Sequence, residues 1–449
     1  MTVMRATRLA LVGVICGWAN WASAQDVARP PGLPPPVTAE DYPPVDLAEA
    51  ALGRLLFYDP ILSGNREVSC ATCHHPDFGT SDGLSLGLGD GGLGLGPDRV
   101  ADPGNPPEQR IPRNSPALFN LGAKEFTVLF HDGRIEVDPT RPSGLRTPMG
   151  TEMEQGFASL LSAQTMFPVL SADEMAGHYS ENEISRAVRQ GLITGEGGAW
   201  DLLSRRVAAV PAYAEMFEAV YGLAPGEIGF THISDAIAVF VDFEWRSHTA
   251  PFDAWLGGEA ELSPLAAEGA ALFYGSAGCA ACHSGPFLTD HRFHAMGDVQ
   301  LGPGKAARFE THARDIGRLR VTGREEDAYA FRTPSLRNVV ATAPYGHAGA
   351  YRDLGAYLAH HADPVAGLAG YDPGQAVLPG LEVEDWRIMS DEVERQAIAA
   401  AIRRPPDALT EGQIAALLAF LDTLTDPEAL GGRMGIPATV PSGLPVPAP

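Results

Sequence analysis

The chain has 449 residues, of which 45% are hydrophobic and 20% charged, with 50 Gly, 38 Pro and five Cys. Its 32 Lys and Arg against 56 Asp and Glu leave a formal charge of −24, a balance that repels nucleic acid and anionic lipid and excludes both as partners. Five Cys in a chain of this length exclude a disulfide-stapled scaffold, and the length allows two or three domains with ordinary cores.

Met1 to Ala24 reads as a signal peptide. Arg5 and Arg8 form a basic start, Leu9 to Cys16 an apolar centre, and Ala22-Ser23-Ala24 a small-residue cleavage site. The alternative, a membrane anchor, needs about 20 apolar residues, which this run does not supply, and no later segment does either. Cleavage removes Cys16 and two positive charges, taking −24 to −26. The expectation is an exported, periplasmic protein without a membrane span and with four Cys. Residues 25–45 are read as a leader, including the Pro-containing Asp41 to Leu47. A first domain is expected over 46–258, a boundary at Gly257-Gly258, a second domain over 259–430 and a loose Pro/Gly-rich tail over 431–449. Glu181 to Gly191, Val207 to Tyr221, Ser234 to Phe243 and Glu411 to Leu424 carry apolar residues at helical spacing, and Gly83 to Pro107 is a Gly/Pro-rich loop.

The four remaining Cys fall in two identical patterns, Cys70-Ala71-Thr72-Cys73-His74 and Cys279-Ala280-Ala281-Cys282-His283. Cys-x-x-Cys-His fits covalent haem attachment, because two thiols add to the vinyl groups on one porphyrin edge and the adjacent His reaches the iron. A redox Cys pair would not need a His in the fifth position twice. A zinc site built from the four thiolates would leave both His idle. The patterns sit in a longer repeat. Leu52-Gly53-Arg54-Leu55-Leu56-Phe57-Tyr58 precedes the first, and Glu268-Gly269-Ala270-Ala271-Leu272-Phe273-Tyr274 the second. The fold expected is mostly α, with two cytochrome-c-like domains each enclosing one covalently attached haem c.

Around these motifs the sequence resembles the bacterial dihaem cytochrome c peroxidases, a family whose other branch is the MauG type. The resemblance rests on Leu52-Gly53-Arg54, Leu62-Ser63-Gly64, Pro112-Arg113-Asn114-Ser115-Pro116 and Asp132-Gly133-Arg134. It continues through Phe331-Arg332-Thr333-Pro334-Ser335-Leu336-Arg337-Asn338 and Thr342-Ala343-Pro344-Tyr345-Gly346-His347. It runs from about Leu52 to Leu424; Gly367 to Pro406 has no counterpart in the family's motifs.

The resemblance implies a set of site residues. The peroxidase branch caps its first haem with a His in a Gly-containing stretch; here that stretch is Leu86-Gly87-Leu88-Gly89-Asp90-Gly91, and no His lies between His75 and His131. The iron above His74 is therefore expected to be open, with His75 on the surface. Gln164 and Glu174 match the family's distal residues. A carboxylate over an open iron can take a proton from peroxide and return it to the leaving oxygen. The position opposite His283 is Met in peroxidases and Tyr in MauG; counting from His347 it is His361 here, with His360 and Met296 as rivals. His131 replaces the Trp that usually precedes Asp-Gly-Arg and relays electrons, so it is a candidate bridge. Asn114, Thr342 and Pro344 carry over the family's calcium site, supplying oxygens that suit a hard cation. His347 is expected near haem carboxylates, and Arg113, Arg332 and Arg337 are candidates to pair with them.

The function implied is reduction of hydrogen peroxide at the N-terminal haem, with electrons passed through the C-terminal haem from a small donor, a cytochrome c or copper protein. The chain's acidity favours a basic donor, and a homodimer is compatible with the sequence. Two other readings remain open: a MauG-type oxidase of a protein or small molecule, and a non-catalytic electron-transfer cytochrome.

Overall fold

A computed structural model describes residues 29–306, 310–403 and 408–448; the signal peptide lies outside them. Among the described residues the chain is mostly helical. Strands form three small antiparallel sheets: Gly92–Leu93 with Val100–Ala101, the three strands Val128–Leu129, Ile135–Val137 and Leu145–Arg146, and Phe293–His294 with Phe331–Arg332.

The repeat seen in the sequence builds the same helix pair twice. Helix α1 (Leu47–Tyr58) starts where the Asp46 carboxylate accepts the N–H groups of Ala48 and Glu49, and it packs on α2 (Phe230–Glu244). Helix α3 (Pro264–Phe273) starts at the Ser263 cap with Pro264 in the first turn, and it packs on a later helix, Glu411–Asp422. The repeated glycine sits at each crossing. A Cβ on Gly53 would lie 1.8 Å from the Ala236 carbonyl oxygen, and one on Gly269 would lie 1.9 Å from that of Ala416. The repeated phenylalanine fills each core: Phe57 meets Phe240 at 5.3 Å, and Phe273 meets Phe420 at 5.0 Å between ring centroids. Gly269→Ala should therefore cost about 1–3 kcal/mol by overpacking, despite the higher helix propensity of Ala. Thermal unfolding of the holoprotein reads this as a lower midpoint; an unchanged midpoint would show that the crossing can yield.

Two expectations need correction. Val207 to Tyr221 is two helices, Ala199–Ala208 and Pro211–Tyr221, because Pro211 lacks the N–H that would continue the first and is well suited to start the second. The helix Pro251–Gly257, ahead of Gly257-Gly258, packs Phe252 and Trp255 into one cluster with Phe273 and Phe420, the Phe252 and Phe420 rings being 5.5 Å apart. The tail over 431–448 is not loose. Met434 and Gly435 donate backbone N–H groups to the Glu244 carboxylate (2.6 and 2.8 Å), Ser442 Oγ donates to Asp59 (2.6 Å), and Val440 is buried in the first core. The chain end is thus held against the core that contains Phe57 and Phe240.

Candidate functional site

Each Cys-x-x-Cys-His pattern forms a single tight turn. Cys70–Cys73 is one helical turn whose entry is fixed by the Ser69 N–H donating to Thr72 Oγ1 at 3.0 Å. Cys279–Ala281 is the corresponding 3-10 turn. All four thiols are unpaired, as thioether formation requires. The two His are prepared alike. His74 Nδ1 lies 3.0 Å from the Thr80 carbonyl and His283 Nδ1 lies 3.2 Å from that of Leu288. Donation from Nδ1 fixes the tautomer and leaves each Nε2 a neutral lone pair for a metal. Burial lowers the pKa of His74. It pushes that of His283 down to about 4, with help from His361.

His283 faces His361. Their ring centroids are 6.5 Å apart with planes at 51°. Two imidazoles on one iron, each nitrogen about 2 Å from the metal, need roughly this separation. His361 Nδ1 is buried without a partner. His361 comes from the helix Leu354–Ala362, and its neighbour His360 turns away against the Tyr351 ring at 5.1 Å. Met296 does not line this crevice. Arg332 does line it. It forms no ion pair with a carboxylate among the described residues, donating instead to the Phe130 and Thr333 carbonyls. Burial pushes its pKa down to about 10. An uncompensated guanidinium here fits a haem carboxylate. Arg113 and Arg337 do not share that role: Arg113 is bonded to Asp132 and Asp315, and Arg337 to both oxygens of Asp253. The residues present fit a haem.

Gln164 is the penultimate residue of the helix Leu160–Thr165, and its buried Oε1 has no hydrogen-bond partner. Glu174 sits in a single π-turn, Ala172–Ala176, a distortion often found at functional sites. Burial raises its pKa, against the opposing charges of Lys305 and Arg134. The Gly-rich stretch without a His packs its backbone straight onto this turn. A Cβ on Gly89 would lie 2.2 Å from the Asp173 carbonyl oxygen and 2.5 Å from that of Glu174, and the Asp90 N–H donates to the Glu174 carbonyl at 3.0 Å. Asn65 Nδ2 then ties Asp90 to Glu181, at 2.8 and 2.5 Å. No ring contact joins another imidazole to His74 among the described residues, in contrast to His283 and His361.

His131 lines the same crevice as Gln164, His283 and His361. Its backbone carbonyl accepts from the Arg332 N–H at 2.7 Å. Burial, reinforced by Arg113, His347 and Arg332, pushes its pKa down to about 3, so the ring is neutral. Asn114, Thr342 and Pro344 line that crevice as well. Asn114 spends its Nδ2 on the Leu84 carbonyl at 2.8 Å, which leaves Oδ1 for a cation. His347 stacks on Phe331 at 3.9 Å, with Nδ1 3.5 Å from Asp298. His75 is not at the surface as expected; it is fully buried, its backbone paired with Ser81 and its ring beside Phe78. Sequence reasoning missed Lys305. It lies in a Gly-rich loop without a motif, yet it reaches the electrostatic surroundings of Glu174. It also lines a basic cavity of about 860 Å³ with Arg134, Arg146, Arg318, Arg320 and Arg324.

The family described as di-haem cytochrome c peroxidase matches residues 47–261. The methylamine utilization protein MauG of Methylorubrum extorquens is 32% identical over 406 residues, covering 88% of this chain and 90% of the relative. The chain belongs to the di-haem cytochrome c peroxidase and MauG family. The cytochrome c551 peroxidase of Nitrosomonas europaea, another relative, is 29% identical over 350 residues, or 77% and 81% of the two chains. Among solved structures, a MauG-like protein associated with microbial copper homeostasis superposes with a TM-score of 0.57 at 26% identity, covering 92% of this chain and 97% of that one. Membership makes this di-haem family protein an oxidoreductase that uses peroxide, and it implies two haem c groups. No helix among the described residues is long and apolar enough to cross a membrane.

Proposed function

We propose that this protein reduces hydrogen peroxide at a haem held by Cys70, Cys73 and His74, in the N-terminal of two cytochrome-c-like domains. Cys279, Cys282, His283 and His361 would hold a second haem, which would supply electron transfer. The observation that carries this reading is the asymmetry of the two His. His283 has an imidazole facing it at 6.5 Å, whereas the Cys73 thiol beside His74 lies within the electrostatic reach of Glu174, a buried carboxylate on a braced turn. Bound haem supplies the redox chemistry. Glu174 takes a proton from the inner oxygen of peroxide and returns it to the outer oxygen, and its raised pKa brings that exchange closer to working pH. Gln164 orients the peroxide by hydrogen bonding, His131 bridges the two crevices as a neutral ring, and Arg332 holds a haem carboxylate.

The electron donor is a small basic redox protein, and the setting is periplasmic, after removal of residues 1–24. Turnover of hydrogen peroxide by the holoenzyme with a reduced basic cytochrome c tests this. Peroxide-dependent oxidation of the cytochrome is expected, slowing as salt screens a mature chain of −26. No turnover, together with a long-lived oxidised protein, would favour the MauG-type reading, which the replacement of the relay Trp by His131 also supports. No reaction with peroxide in either redox state would leave a simple electron-transfer cytochrome.

Calcium at Asn114, Thr342 and Pro344 completes the reading. Asn114→Ala is expected to reduce the calcium retained by the desalted holoprotein, measured by atomic emission. Calcium content equal to the parent protein would place the ion elsewhere.

A further inference from the structure

Gly367 to Pro406, the stretch without a family counterpart, extends a file of aromatic rings that begins at His361. The His361 and Tyr357 rings are 5.7 Å apart, Tyr357 and Tyr351 5.7 Å, Tyr351 and Tyr371 5.3 Å, and Tyr371 and Trp386 6.2 Å between centroids. Tyr357 lines the crevice between His283 and His361. Tyr351 is buried at 5% exposure, and Tyr371 and Trp386 are half-buried. The file therefore leads from a residue placed to bind iron, through the interior, to the solvent boundary.

Aromatic clusters commonly serve packing, and this one does line a small core. The cluster branches, since Tyr357 also meets Tyr345 at 6.0 Å and Tyr351 meets His360 at 5.1 Å, but packing alone does not account for an unbroken route made of the two side chains most readily oxidised by one electron, or for where that route ends. We propose that Tyr357, Tyr351, Tyr371 and Trp386 carry one-electron oxidising equivalents between His361 and the surface. The proposal rests on the reading of His361 as an iron ligand. Tyr357 has a place for its proton: its O–H donates to Asp298 Oδ1 at 3.2 Å, so the proton can cross that bond while the ring is oxidised and return when it is refilled. The Tyr371 proton stays in its 2.7 Å bond to the Ala350 carbonyl.

The redox balance is closed by peroxide. Each hydrogen peroxide takes two electrons and two protons and becomes two waters. Two electrons drawn from Trp386 along the file, with one water adding to the indole and two protons released, leave hydroxytryptophan and balance that reduction. A reductant at the surface that delivers the electrons first returns Trp386 to its starting state.

The test adds stoichiometric hydrogen peroxide to the ferric holoenzyme without a donor, follows radicals by freeze-quench electron paramagnetic resonance and maps oxidised residues by mass spectrometry. The parent protein is expected to give a Trp radical and oxygenation at Trp386. Tyr351→Phe keeps the ring packing but raises the oxidation potential midway, so Trp386 oxygenation is expected to be lost while the haem absorption spectrum is unchanged. Trp386→Phe should move the radical onto tyrosine. Trp386 oxygenation that persists at the parent level in Tyr351→Phe, or none in the parent protein, would overturn the proposal. The low-spin haem signal in the same samples separates the two ideas: without it the reading of His361 fails and the file ends on no iron, and with it only the file is at fault.

Discussion

Glu174→Gln is expected to slow the reaction of the holoenzyme with hydrogen peroxide by about 10²–10⁴-fold, the usual range for loss of a general acid–base group. Gln nearly matches Glu in shape, and the turn that carries position 174 is held by backbone contacts, the Asp90 N–H on its carbonyl and Gly89 against its main chain. The haem spectra and the thermal midpoint should therefore stay close to those of the parent protein. Stopped-flow mixing with peroxide under single-turnover conditions reads the rate. A fall of less than about tenfold would remove Glu174 from the proton-transfer role, and Lys305 or Gln164 would become the groups to test.

His361→Ala should have a comparably large effect on the other crevice. With the facing imidazole removed, His283 is left as the sole protein ligand on that side, and the visible spectrum is expected to lose its low-spin character. The midpoint potential of that haem should rise, because a neutral nitrogen ligand that favours ferric iron has gone. Imidazole added to the variant is expected to restore both signatures. His360→Ala is the control: its ring lies against Tyr351, and the low-spin signature should survive. Loss of the signature in His360→Ala and its survival in His361→Ala would reverse the assignment.

Much of this site was legible because covalent haem chemistry demands fixed spacing. Two thiols and a His within five residues, twice, mark both crevices, and the glycine and phenylalanine at matching offsets mark the two helix crossings that Gly53 and Gly269 make possible. The family resemblance, which sets the position by its distance from His347, pointed to His361, and the structure brings that ring to face His283. What the sequence hid was long-range. His75 was expected at the surface because, directly following His74, it cannot reach the opposite face of the haem, but a backbone pairing with Ser81 folds it inside. The tail looked loose from its Pro and Gly content, yet Asp59 and Glu244, nearly four hundred and two hundred residues upstream, supply acceptors that hold it. Lys305 and the file ending at Trp386 carry no local signature at all. Their roles depend on which distant groups they approach, Glu174 in one case and His361 in the other.

The inequality of the two haem sites is the central claim, and electron paramagnetic resonance of the resting ferric holoenzyme tests it most directly. One high-spin signal from the open iron above His74 and one low-spin signal typical of paired imidazoles at His283 and His361 are predicted. Two low-spin signals of equal weight would mean that both irons are closed at rest, and the assignment of peroxide chemistry to the Glu174 side would not stand.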